Sequence, residues 1–324
     1  MSISRRGVVA AFVATPILPR IAFAAYPDRP IRLIVPFAAG GNVDFVARLV
    51  GEPMSQVLGQ PMVVEFRTGA GGSLGADMVA RSAPDGYSLL LGSNGPLTVS
   101  PFVQAKLSYD PLNDFVAVGL ANLVPHCVVV HESVQAKSLQ DLIAMSKQKE
   151  VNIGTAGVGS ATHMTLARLT TQAGGKFHHI PYRGAGALVP DLLAGNIAGA
   201  VTEINTALPY HKDGKVRILA VASAQRSPQA PEVATMIEGG VKDFTAASYI
   251  GILAPAKTPP EIIAALEAAL KKALADKTVQ DKFLAVGADL VPPELQTSKG
   301  FGDYIKNEYA ASAQAAKIAN LKPE

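Results

Sequence analysis

Cysteine occurs once in 324 residues, and charged side chains make up only 17% of the chain, with a net charge of +3. The lone Cys127 sits in the apolar run Cys127-Val128-Val129-Val130, so no intrachain disulfide can form and stability must come from burial. The small net charge, with no basic tract interleaved with aromatics, gives a nucleic acid nothing to grip. Beyond the first two dozen residues, no apolar run reaches the roughly 18 residues that cross a bilayer. Zinc-ligand spacing is missing. His178 and His179 are adjacent, so on a strand they face opposite sides and cannot share a metal. The glycine segments Gly69–Gly75 and Gly154–Gly159 lack the dinucleotide fingerprint, and no loop ends in Gly-Lys-Ser/Thr. Neither cofactor nor metal is expected. Gly92-Ser93-Asn94-Gly95 is not a Gly-x-Ser-x-Gly elbow, and Ser160 with His163 are better read as first-turn residues than as a catalytic pair. No catalytic residue is expected.

What is present begins with an export-type segment. Arg5 and Arg6 form a basic start, Gly7 to Leu18 is mostly apolar, and Ala22-Phe23-Ala24 suits cleavage near Ala24, leaving a periplasmic mature chain. Ser4-Arg5-Arg6 also suggests twin-arginine export, so the route stays open. About 300 mature residues exceed one ordinary core and favour two domains. Strand, glycine loop and helix recur: a strand over Pro30–Pro36 leads into a helix over Val43–Leu58, Met62–Glu65 into a helix over Ala76–Ser82, and Val151–Ile153 into a helix over Thr162–Gln172. A strand is also expected at His126–Val130, and Thr258 is expected to cap a helix with Pro259 in its first turn. Repeated βα units predict mainly parallel sheets flanked by helices.

In such sheets ligands bind beyond the carboxyl ends of strands, where loops deliver helix N-termini. Three loops there combine glycine with small polar residues: Ala38–Asp44, Gly92–Gly95 and Gly154–His163. Glycine admits close approach, and helix-start N–H groups carry about half a positive charge. An anion is the natural guest, and without a phosphate signature a carboxylate is expected. Asp44 reads foremost as a dipole-favouring first-turn cap, while Tyr182 and Tyr249 are candidate walls of a cleft. Arg183 is the nearest cation.

These residues resemble the substrate-binding proteins of tripartite tricarboxylate transporters, the Bug family. The likeness lies in Tyr26-Pro27-Asp28-Arg29-Pro30-Ile31, Val35 to Gly41 with Asp44, Leu58-Gly59-Gln60-Pro61, Gly69 to Gly72 with Gly75, Ala83 to Tyr87, Tyr109-Asp110-Pro111, Pro181 to Gly184, and Thr258 to Glu261. The resemblance implies an α/β, two-lobed periplasmic-binding-protein fold of type II-like form, with the ligand cleft between the lobes. Residues 25–125 plus 249–324 would form one lobe and 126–248 the other. It implies that Phe37, Ala38, Ala39, Gly41, Asn42 and Asp44, facing Thr155, Ala156, Gly157, Ser160, Thr162 and His163, hold one carboxylate; Ser93, Asn94, Tyr182, Thr202 and Tyr249 are expected around it. Where many members carry an acid, the aligned residue here is Thr202, which cannot pair with an amine. Glu203 could do so only if it faces the cleft. A guest without an amine, a di- or tricarboxylate or an aromatic acid, is therefore expected, with a monomeric receptor handing it to membrane permease subunits. A ligand-presenting sensor for a membrane kinase is the alternative, and a periplasmic hydrolase a lesser one.

Overall fold

A computed structural model describes residues 26–321 and 323. The export-type segment lies outside the described residues. The first unit is β1 (Ile31–Val35), α1 (Asn42–Leu58), β2 (Met62–Phe66), α2 (Ser73–Ala80), β3 (Ser88–Ser93) and the short α3 (Ser100–Val103). β1 is apolar and almost wholly buried. α1 ends on Gly59, whose φ of 71° places it in the left-handed region, where glycine is the natural stop. β4 (Phe115–His131) then leaves this unit. The second unit contains α4 (Leu139–Gln148), β5 (Val151–Thr155), α5 (Ala161–Ala173), β6 (Phe177–Pro181), α6 (Ala185–Leu193), β7 (Gly199–Glu203), α7 (Ile204–Lys212) and β8 (Val216–Val221). β9 (Ala247–Pro255) returns, followed by α8 (Pro260–Ala275), α9 (Lys277–Ala285) and α10 (Ser298–Ile318).

The strands pair in the order β2-β1-β3-β9-β4-β7-β5-β6, with β8 also on β4. Within each unit the pairs β1–β2, β1–β3, β5–β6 and β5–β7 are parallel, as βα units require. The crossing strands are antiparallel to their neighbours: β9 to β3 and β4, and β4 to β7 and β8. The sheet is therefore mixed. β4 pairs with β9 through Phe115–Pro125 and with β7 and β8 through His126–His131, so it belongs to both units. Its register slips near Gly119, Asn122 and Val128.

Two local expectations change. Thr258 does not cap α8; its hydroxyl donates to the carbonyl of Pro255 (2.7 Å), and Pro259 flanks the helix. Ser93 is the last residue of β3 rather than part of a free loop. α10 packs back on the first unit, with Phe301 and Ile305 buried among Leu120, Tyr249 and Leu253. No helix among the described residues is long and apolar enough to cross a membrane.

Candidate functional site

A small cavity of about 30 Å³ lies where the two units face each other, and strand ends build it. Phe37 and Gly41 follow β1, Ser93 closes β3, Ala156 follows β5 and Glu203 closes β7, while Ser248 and Ile250 come from the start of β9. Three helices begin at its wall: α1 with Asn42 and Val43, α5 with Ala161 and Thr162, and α6 with Ala185. First-turn N–H groups have no partner within their own helix and carry the positive end of the dipole. α1 starts on Gly41 without any side-chain cap.

The polar side chains extend this pattern. Asn42 accepts a hydrogen bond from Nδ2 of Asn205 (2.7 Å), which ties the two units together, and its own Nδ2 is buried without a partner. Ser160 caps α5 by accepting the N–H of His163 (3.1 Å), and Thr162 accepts that of Ala156 (3.0 Å). The loops also meet directly, the Ala38 N–H donating to the carbonyl of Arg183 (2.9 Å). No lysine or arginine lines this cavity.

One acid does. Glu203 is 8% exposed; its Oε1 accepts from the Ser248 hydroxyl (2.9 Å) and its Oε2 from Thr202 (3.3 Å). Burial pushes its carboxyl above the usual carboxylate range. Behind Ser248 stands His126, with Nε2 on the Ser248 hydroxyl (2.8 Å) and Nδ1 on Thr165 (2.7 Å). Burial holds His126 down at about 3, so it is neutral.

The remaining residues expected at the site divide by position. Asp44 is buried and holds the loop, its Oδ2 accepting from the Gly40 N–H (2.9 Å) and its Oδ1 from Arg48 (2.7 Å). Asn94 pins β9, accepting from the Tyr249 N–H (2.9 Å) and donating to Ala247 (3.2 Å). Thr155 bonds Nε2 of His179 (2.6 Å), whose ring stacks on His163 at 4.4 Å. Ala39 lies against Gly186 of α6. Gly157, Tyr182 and Arg183 line a second cavity of about 580 Å³, which shares only Phe37 and Ala156 with the first. Thr202 contacts Glu203 without lining the cavity itself. Tyr249 lies in the core, edge-on to Phe301 and Tyr304, its hydroxyl on Thr98 (3.3 Å). Among the described residues, no three histidine, cysteine or acidic side chains gather as a metal site.

Sequence reasoning left the orientation of Glu203 open and missed Val43, Ala161, Ala185, Ser248 and Ile250 as lining residues. Strand alternation held the signal for β9, since Ser248 and Ile250 share one face and Tyr249 takes the other. For Ala185, the signal was Gly184 before a helix start, the same arrangement as Gly41 before α1.

Residues 46–317 match the family described as "Tripartite tricarboxylate transporter family receptor". The chain is 37% identical to Protein BugT of Bordetella pertussis over 298 residues, 91% of each chain. The solved periplasmic binding protein BugD is similar at 31% identity and a TM-score of 0.89, covering 92% of this chain and all of the other. MatC from Rhodopseudomonas palustris with bound malate is similar at 30% identity (TM-score 0.87; 90% and 99% covered). R. palustris Rpa4515 with adipate is similar at 29% (TM-score 0.88; 92% and 100% covered).

Proposed function

We propose, on the premise that the chain belongs to the tripartite tricarboxylate transporter receptor family and is a solute-binding protein rather than an enzyme, that it captures a small organic carboxylate in the cavity between its two units. The observation that carries this reading is the convergence of three helix N-termini and the unpartnered Nδ2 of Asn42 on one cavity without a side-chain cation. Backbone N–H groups and amide donors hold a carboxylate without the desolvation that a buried lysine would cost. The malate and adipate of the similar structures agree in class.

On this reading residues 25–125 with 249–324 form one lobe and 126–248 the other, with β4 and β9 as the crossing segments that flex as the guest enters. The mature receptor acts in the periplasm after cleavage near Ala24, as a monomer, and delivers its guest to permease subunits in the membrane. Closure by lobe rotation matches how hinged binding proteins enclose ligands.

The test is thermal unfolding of ligand-stripped protein with a panel of small carboxylates. A guest present at about 100 times its Kd adds about 2.7 kcal/mol, so a bound carboxylate raises the midpoint clearly. Asn42→Leu, which deletes the unpartnered donor, is expected to reduce that rise. A panel with no stabilising carboxylate, or a full rise in Asn42→Leu, would place the site elsewhere.

A further inference from the structure

A carboxylate guest and a buried acid in one small cavity repel each other unless something offsets the charge. The groups facing Glu203 are the Thr202 hydroxyl on its own strand, the Ser248 hydroxyl on β9 and, behind Ser248, His126 on β4, paired with Glu203 in the sheet register. Cys127, the next residue of β4, pairs with Thr202, and its thiol is pushed up by burial and then by Glu203 itself, so it stays protonated and neutral. No ion pair among the described residues involves Glu203, and no cationic side chain lines the cavity.

The hydrogen bonds run one way. Because the Ser248 hydroxyl gives its proton to Glu203, it accepts from His126 at Nε2, leaving Nδ1 to accept from Thr165. Thr165, His126, Ser248 and Thr202 thus all aim donors toward Glu203 and supply no charge. An ionised carboxylate has about four acceptor positions; hydroxyls of the protein fill one on each oxygen, and the backbone N–H of Glu203 itself also bears on the carboxylate. That leaves acceptor capacity on a residue that lines the cavity.

We propose that Glu203 is the specificity-determining residue of the cleft: it accepts a hydrogen bond from an ammonium or hydroxyl group borne by the carboxylate guest. This rests on the function proposed above and replaces the expectation, drawn from Thr202, of a guest lacking an amine. A donor on the guest supplies the partner that the protein withholds. The second carboxylate of a plain diacid meets Glu203 charge to charge, and one proton must then be taken up to seat it.

Calorimetry on ligand-stripped mature protein at pH 7.5 tests this with matched sets: succinate, malate and aspartate; glutarate, 2-hydroxyglutarate and glutamate; adipate and 2-aminoadipate. The substituted member of at least one set is expected to bind about 10-fold or more tightly than its plain diacid, as for a hydrogen bond to a charged group. Repeating the titration in buffers of different ionisation heat is expected to show no net proton uptake for that member. Glu203→Gln separates the two donor sources, because it abolishes preference for an ammonium guest but weakens preference for a hydroxyl guest only in part. Plain diacids that bind equally or better, or a guest that binds with uptake of one proton, would overturn the inference, and neither readout depends on a variant folding. If none of the carboxylates binds, the reading of the cleft itself falls.

Discussion

His126 is enclosed by hydroxyls and carries no charge, and its burial gives the protein a defined response to acid. Its value in the folded state, about 3, lies below the ordinary 6.5. The stability it lends is therefore present above pH 6.5 and lost as pH falls toward 3. Half-buried His179, held by burial at about 4, acts in the same direction and less strongly. Urea unfolding between pH 7.5 and 4.5 is expected to show stability falling below pH 6.5, by up to about 1.4 kcal/mol per pH unit from His126. His126→Gln is expected to be less stable at pH 7.5 yet to flatten this slope; an unchanged slope would show that His126 is not the titrating group. Glu203 has the opposite sign. Its raised value means stability present below the ordinary 4.5 and lost as pH rises through the folded value, so Glu203→Gln should be less sensitive above pH 4.5 in the absence of a guest. The identity of the acid in the cavity was only half legible in the sequence. Thr202 and Glu203 alternate along β7, but β7 ends at Glu203 and α7 starts on the next residue, so pattern alone could not say which side chain turned inward.

The loops after β1 and β5 and the helices they open were legible because each pairs a glycine-rich turn with a clear apolar stripe. β4 was not. Only its second half, His126–Val130, reads as a strand, whereas Gly119, Asn122 and Pro125 interrupt the first half, whose register slips near Gly119 and Asn122. β9 and α7 escaped notice for related reasons, with Gly251 inside one and Pro209 inside the other. At this scale α6 offers the sharpest test. A Cβ added to Gly186 would sit 1.7 Å from the carbonyl oxygen of Ala39 in the facing unit. Backbone cannot yield as a side-chain tip can, while alanine within a helix costs nothing by itself. Gly186→Ala is therefore expected to keep its unfolding midpoint but to hold the units apart, seen as a larger radius of gyration in solution scattering with guest present and affinity at least about 10-fold lower. Wild-type compaction and affinity would contradict the contact. Phe301 anchors α10, its ring filling the space left by Gly251. Phe301→Ala is expected to cost about 3–5 kcal/mol in chemical denaturation, and a loss under 1 kcal/mol would mean that α10 is not part of the fold's support.

Across the whole molecule, the two units share β4 rather than merely touching, its first half pairing with β9 and its second half with β7 and β8. Composition and βα periodicity announced an α/β protein. The antiparallel crossing was invisible to them, because it depends on which strands meet after residues 131 and 246 and not on any local pattern. The central claim is that this cavity recognises a carboxylate group. Its most direct test is calorimetric titration of ligand-stripped protein with the best carboxylate of the panel and with the corresponding primary amide, which matches its shape but not its charge. The account predicts a Kd of about micromolar order for the carboxylate, roughly −8 kcal/mol, and at least about 100-fold weaker binding of the amide; equal binding of the two would contradict it.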